Sequence, residues 1–160
     1  VLRRCRGRPV VHRFEPAELR ERPANCFALE RDVRFQDVDA AGIVFYPRVL
    51  EYFSDAFIAF LNQNGARLPE VLRERRWGAP LRHAEADYFT PLRYGDRIEI
   101  AMVRCRLEAT AVALGYRVAR LADGVVTGIG QTAHVFVEMS SFQRCPVPDE
   151  LAEAFARLPT

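Results

Sequence analysis

Phe27, Leu29, Arg31, Val33 and Phe35 alternate with Cys26, Ala28, Glu30, Asp32 and Arg34, the period-two pattern of a half-buried strand. The pattern breaks at residues 37–42, a run of small and acidic residues that reads as a loop. Beyond it the period changes. Val49, Phe53, Ala56 and Phe60 recur at helical spacing with Leu50, Phe57 and Leu61 beside them, and Pro47 stands where a first helical residue loses nothing by lacking an N–H. Asn64-Gly65 supplies a stop, so the spacing predicts a helix of about seventeen residues. It is apolar over most of its circumference, and such a helix has to be wrapped by other elements.

The second half of the chain reads mainly as strands. A short polar helix is predicted over 67–76, followed by strand-like runs at 79–89, 97–108, 111–122 and 125–139. Asp123-Gly124 is a hairpin turn signal between the last two. A short amphipathic helix over 147–158 carries Leu151, Phe155 and Leu158. Strand, long buried helix and then an antiparallel meander of strands make an α+β domain with about five strands. Residues 1–24, rich in Arg and Pro without sustained period, read as a flexible basic arm, with the domain proper at 25–160.

Composition narrows the classes of function. The net charge of +2 is concentrated in the arm: residues 1–22 hold seven arginines and three glutamates, leaving sixteen Arg against eighteen Asp and Glu elsewhere. The body is therefore no basic nucleic-acid binder. No apolar stretch approaches a membrane span, since the richest run, 53–61, contains Ser54 and Asp55. No apolar signal segment follows the basic N-terminus, and a cytoplasmic setting is expected. Cys5, Cys26, Cys105 and Cys145 are widely spaced without a CxxC pair, which suggests neither a zinc site nor a disulfide framework. His12, His83 and His134 accompany no nucleophile motif and read as surface or core residues.

Chemistry concentrates at the strand-to-helix junction. Asp37 and Asp39 precede Ala40, Ala41 and Gly42, small residues that let a substrate approach the backbone. The helix entry at Tyr46-Pro47 offers unpaired N–H groups and partial positive charge to an oxyanion. A thioester suits so small a site, because its thiol, with a pKa of about 8.5, departs with little acid assistance. An aspartate could then attack the carbonyl or deprotonate a water. Asp-x-Asp before a helix is also how a cap or Asx turn is spelled, so spacing alone leaves both readings open.

Residues 34–46, RFQDVDAAGIVFY, closely resemble the signature of the 4-hydroxybenzoyl-CoA thioesterase family of hot-dog proteins: a strand, an Asp-x-Asp-x-x-Gly-[Ile/Val]-Val loop and a long helix. The likeness continues through Tyr46-Pro47, His83-Ala84, and Phe89, Pro91, Leu92, Gly95 and Asp96, over roughly residues 27–158. Asp-x-Asp-Ala-Ala-Gly is also similar to the 1,4-dihydroxy-2-naphthoyl-CoA hydrolases. The resemblance implies a hot-dog fold, a long central helix wrapped by an antiparallel sheet, and hydrolysis of an acyl-CoA to free acid and CoA. It implies Asp39 as nucleophile or general base, the backbone N–H of Tyr46 as oxyanion donor, and a structural Asp37. Gly42, Val44, Phe45, Pro47 and Ser54 fall at positions that touch substrate, and an aromatic acyl group would suit a pocket near Phe45, Tyr52 and Phe53. Homodimers or homotetramers with sites at subunit interfaces are implied. No cofactor or metal is, beyond the CoA of the substrate itself.

The specificity positions do not carry over. Ser54 and Pro69 stand where the 4-hydroxybenzoyl-CoA enzyme holds its phenol, and Glu108-Ala109-Thr110 stands near its basic cluster for CoA. Arg104, Arg106 and Arg117 are alternatives for CoA but read first as solvated surface residues. Aromatic, medium-chain and long-chain acyl groups stay open, as do a carrier-protein thioester and a hot-dog module that binds without hydrolysing.

Overall fold

A computed structural model describes residues 14–160 of the chain. In chain order the elements are α1 (Pro16–Arg20), β1 (Phe27–Asp32), a 3-10 turn (Phe35–Asp37), α2 (Pro47–Gln63), α3 (Leu68–Glu74), β2 (Trp77–Gly78), β3 (Leu81–Tyr88), β4 (Arg97–Glu108), β5 (Ala111–Arg120), β6 (Val126–Val135), β7 (Val137–Glu138) and α4 (Asp149–Ala156). The expected long helix and five-stranded sheet are present.

Five antiparallel strands in the order β1-β4-β5-β6-β3 wrap α2. The helical face of Tyr52, Phe53, Ala56, Phe57 and Phe60 packs with Ile98, Ile100, Met102, Leu114 and Tyr116 in one buried cluster. Phe53 stacks on Tyr116 with ring centroids 4.6 Å apart. Close approach is possible because residue 130 is glycine: a Cβ there would come within 2.4 Å of the Phe53 ring and of the Glu85 carbonyl. Tyr52 and Phe53, expected beside a substrate pocket, are instead wholly buried in this core.

β4, β5 and β6 form the expected meander, but β3 departs from it. It pairs with β6 at the far edge of the sheet rather than with the strand that follows it. The connection 89–96 therefore crosses the end of the barrel-like wrap and packs on the helix entry, where Leu92 O accepts the Val44 N–H at 2.8 Å. The run read as one strand over 125–139 is divided at Phe136, which is fully buried and bonds outside the sheet, its N–H to Thr110 O at 2.9 Å. β7 then pairs with β2 in a separate two-stranded ribbon.

The outer face of the sheet is covered by a segment that the sequence reading placed in the arm. Phe14 and Leu19 join Ala101, Val103 and Ile129 in a second buried cluster. Gly115 makes room for it, since a Cβ there would lie 2.3 Å from Leu19. The buried Gln131 amide reads the main chain of Phe14 from both sides, accepting its N–H at 2.8 Å and donating to its carbonyl at 3.2 Å. Arg104 pairs with Glu21 at 3.0 Å, Arg117 donates to Arg20 O at 3.2 Å, and Arg22 clamps Glu99 at 2.7 Å. Arg104 and Arg117 are thus fasteners of this strap, not solvated surface residues. Among the described residues the packed body extends to Phe14. The rest of the proposed arm, with Cys5 and His12, lies outside the described residues.

Candidate active site

Between β1 and α2 the chain doubles back on itself. Val38 and Val44 form an isolated antiparallel bridge, Asp39 N–H donates to Ile43 O at 2.9 Å, and Gly42 N–H donates to Asp39 O at 2.9 Å. Gly42 sits at φ +75°, a left-handed angle that glycine adopts without steric cost. A Cβ at that position would meet nothing within 4 Å, so the backbone angle, not crowding, calls for glycine.

The two aspartates of the motif have separate environments. Asp37 is fully buried; it accepts the Arg34 N–H at 3.0 Å, the Arg34 guanidinium at 3.1 Å and the Tyr52 hydroxyl at 3.1 Å. Burial alone would push its carboxyl up, but these hydrogen bonds outweigh it and hold the group below its ordinary range. Asp37 O also accepts the Phe45 N–H at 2.9 Å, so this residue holds the loop to the helix entry. Asp39 is exposed. One of its oxygens accepts the Ala41 N–H at 2.8 Å in an Asx turn, and among the described residues its carboxylate has no other partner. Both bland readings of Asp-x-Asp are thus partly realised, and only Asp39 keeps an oxygen free.

Tyr46 caps α2 with helical angles, φ −49° and ψ −38°. Its main-chain N–H has no acceptor among the described residues, whereas the next donors are satisfied: Arg48 N–H reaches Phe45 O at 2.9 Å and Val49 N–H reaches Tyr46 O at 3.3 Å. Proline at the intervening position contributes no donor. Beside Tyr46 lies an apolar cavity of about 320 Å³ with Val44, Val49, Tyr88, Phe89 and Leu92 in its walls. Its walls do not include Asp39, which stands on the turn before Val44. Phe45 is 45 % exposed, lies edge-on to Tyr46 at 5.0 Å and is not in the walls of this cavity, while Pro47 is half-buried at the first helical position.

Ser54 belongs to a second cavity of about 330 Å³ between α2, α3 and β3, with Leu50, Trp77, Leu81, Thr132 and His134. Asp55 faces away and pairs with Arg31 of β1, whereas Pro69 is not in its walls. Polar groups in this cavity form a directed chain. His134 Nδ1 lies 3.1 Å from Ala79 O, an acceptor only, so it carries the proton. Burial depresses the imidazole's pKa and keeps it neutral, leaving Nε2 to accept the Thr132 hydroxyl at 3.2 Å. Tyr116 in turn donates to Thr132 Oγ1 at 3.3 Å. Trp77 Nε1 is the exception, a buried donor without a partner among the described residues. His83 pairs with Glu85 at 2.9 Å, and burial pushes the Cys105 thiol up to about 12, which makes it a poor nucleophile. Among the described residues no group of three or more His, Cys, Asp or Glu converges to hold a metal ion.

Trp77, Tyr88 and Thr132 carry no motif signal, whereas Leu92 belongs to the motif that runs from Phe89 to Asp96. The β3–β6 pairing, the β2–β7 ribbon and the 89–96 crossover bring these residues to the helix.

A family model described as "Thioesterase-like superfamily" matches residues 33–155. A 1,4-dihydroxy-2-naphthoyl-CoA hydrolase of Rippkaea orientalis is 32% identical over 124 residues, covering 77% of this chain and 90% of its own. The like-named enzyme of Synechococcus elongatus is 32% identical over 130 residues, covering 79% and 93%. Among solved structures, a gentisyl-coenzyme A thioesterase superposes with a TM-score of 0.70 at 28% identity over 81% of this chain and 98% of its own. The 1,4-dihydroxy-2-naphthoyl-CoA thioesterase of Synechocystis, at 24% identity, shares the fold with a TM-score of 0.77 over 82% and 96%. The chain belongs to the thioesterase-like superfamily of hot-dog proteins.

Proposed function

We propose that this protein is an acyl-CoA thioesterase that hydrolyses an aromatic acyl-CoA to free acid and CoA, using Asp39 and the main-chain N–H of Tyr46. One observation carries the site assignment: a helix-entry N–H that has no acceptor among the described residues stands a few positions beyond a tight turn whose aspartate keeps one oxygen free. In this reading Tyr46 N–H donates to the thioester oxygen and gains strength as negative charge develops there. Asp39 either attacks the carbonyl carbon, forming a mixed anhydride that water opens, or takes a proton from an attacking water. Collapse expels CoA as its thiolate, which needs little general acid.

The aromatic reading is supported by relatives that act on dihydroxynaphthoyl-CoA and gentisyl-CoA. Within this chain the cavity at Ser54 is mostly apolar, with Leu50, Phe57, Trp77 and Leu81 in its walls beside the polar Ser54, Thr132 and His134, a lining suited to an aryl group that carries polar substituents. Coenzyme A enters only as part of substrate and product. We place the protein in the cytoplasm; no described helix is long and apolar enough to cross a membrane.

Self-association fits the exposed edge of β3. Because the strap covers the outer sheet face, that edge and the α2–β3 groove are where a second copy would be seated, as a homodimer before any homotetramer.

Release of thiol from a panel of aromatic and aliphatic acyl-CoAs and an acyl carrier-protein thioester tests the reaction. Aromatic CoA esters are expected to be cleaved fastest, and Asp39→Asn to lose about 100-fold or more in kcat. Full activity in that variant would remove Asp39 from the mechanism, and tight binding without thiol release would indicate a non-hydrolytic module.

A further inference from the structure

Tyr88 ends the edge strand β3, and its hydroxyl donates to the main-chain carbonyl of Tyr46 at 2.9 Å. The side chain is 49 % exposed, so water could satisfy the phenol without this bond. The partner is the residue whose N–H is free, and the bond spans 42 positions in sequence. The Tyr46 peptide is thereby gripped on two sides. Ahead of it, Phe45 N–H is tied to Asp37 O at 2.9 Å, and Asp37 is itself locked by Arg34 and Tyr52. Behind it, the carbonyl is tied to the sheet through Tyr88. Tyr88 also lines the cavity beside Tyr46. Burial, with the nearby Tyr46 and Asp87, raises the phenol's pKa, so it stays a donor throughout the neutral range.

We infer that Tyr88 is a positioning residue for thioester hydrolysis, fixing the direction of the Tyr46 N–H at the oxyanion; this rests on the function proposed above. Held ahead of Tyr46 at Val44 and Phe45, by Leu92 and Asp37, the helix entry would keep freedom to rock about residue 46 on its helix side. A hydrogen bond from the sheet removes that freedom where donor direction governs transition-state stabilisation. The hydroxyl touches neither the reacting carbonyl nor the thiol, and it acts through Tyr46 alone.

Tyr88→Phe in the full chain tests this, because it keeps the ring and removes only the hydroxyl. With an aromatic acyl-CoA that the wild type cleaves, kcat is expected to fall about 10-fold with KM within about two-fold, short of the 100-fold or more that loss of a direct oxyanion donor costs. Two unreactive CoA analogues of that substrate separate positioning from packing. The ketone, with CH2 for sulfur, keeps the carbonyl and should bind more weakly to the variant. The thioether, which lacks the carbonyl, should bind equally well to both. Tyr88→Leu, which also removes the ring, should raise KM in addition. Unchanged kcat in Tyr88→Phe, or equal weakening of both analogues, would overturn the inference while leaving the thioesterase reading intact. A wild-type protein that cleaves no acyl-CoA overturns the function and the inference together.

Discussion

Asp37 and Asp39, two residues apart, show how far environment separates identical side chains. Asp37 is sealed beneath Tyr52 and Arg34 and holds the loop; Asp39 stands in solvent with one oxygen engaged. Because Asp37 titrates below its ordinary 3.8, the folded state binds fewer protons than the unfolded chain just below that value. Its contribution is therefore full above the unfolded carboxylate pKa and is lost as pH falls through the folded one. Asp37→Asn is expected to cost about 2 kcal/mol near neutrality, the scale of hydrogen bonds to a charged group, with the gap from wild type closing at pH below 3.8. Melting temperatures across pH check this, and a gap that stays constant into acid would show that charge is not the cause. The sequence pointed to this segment, and the resemblance assigned Asp37 a structural place. That Asp39 forms an Asx turn while keeping one oxygen free became visible only from the hydrogen bonds.

At the scale of elements, local signals worked where one element was self-sufficient. The period of α2, its proline entry and its Asn-Gly exit placed the helix at Pro47–Gln63, because a helix closes its own hydrogen bonds. Strand boundaries were approximate, and the 125–139 run hid a break at Phe136 whose cause is a bond to Thr110 in a distant turn. The strap was missed for a different reason. Phe14 and Leu19 are two apolar residues among charges, too few to show a period, and their burial depends on Gly115 and Gln131 far along the chain. Leu19→Ala should weaken strap docking by about 2–3 kcal/mol, the usual cost of truncating a buried leucine. Faster amide exchange across residues 16–20, with β4–β6 unchanged, is the expected result; wild-type exchange there would mean that the strap does not depend on Leu19.

For the whole molecule, coverage of the sheet decides what can associate. The resemblance implied a homo-oligomer, and the chain's own strap packs over the outer sheet face. β3 is left as an edge beside the groove, with Leu81 54 % and Tyr88 49 % exposed. Leu81→Glu, which sets a charge on that edge, should therefore convert the proposed homodimer to a monomer in sedimentation while keeping the monomer fold. A dimer that survives the change would move the interface elsewhere.

By itself the sequence determined the α+β class, the buried helix and, through its ordered motif, the family, and it pointed to the strand-to-helix junction for the proposed chemistry. All of these rest on neighbours within a few turns or on a contiguous signature. The tertiary structure alone decided that β3 crosses to β6, bringing Tyr88 to the carbonyl of Tyr46 and the 89–96 connection to Val44. It also set Trp77, Thr132 and His134 around Ser54 and folded residues 14–22 over the sheet. Those pairings join residues tens of positions apart, and no local period encodes a partner at that distance.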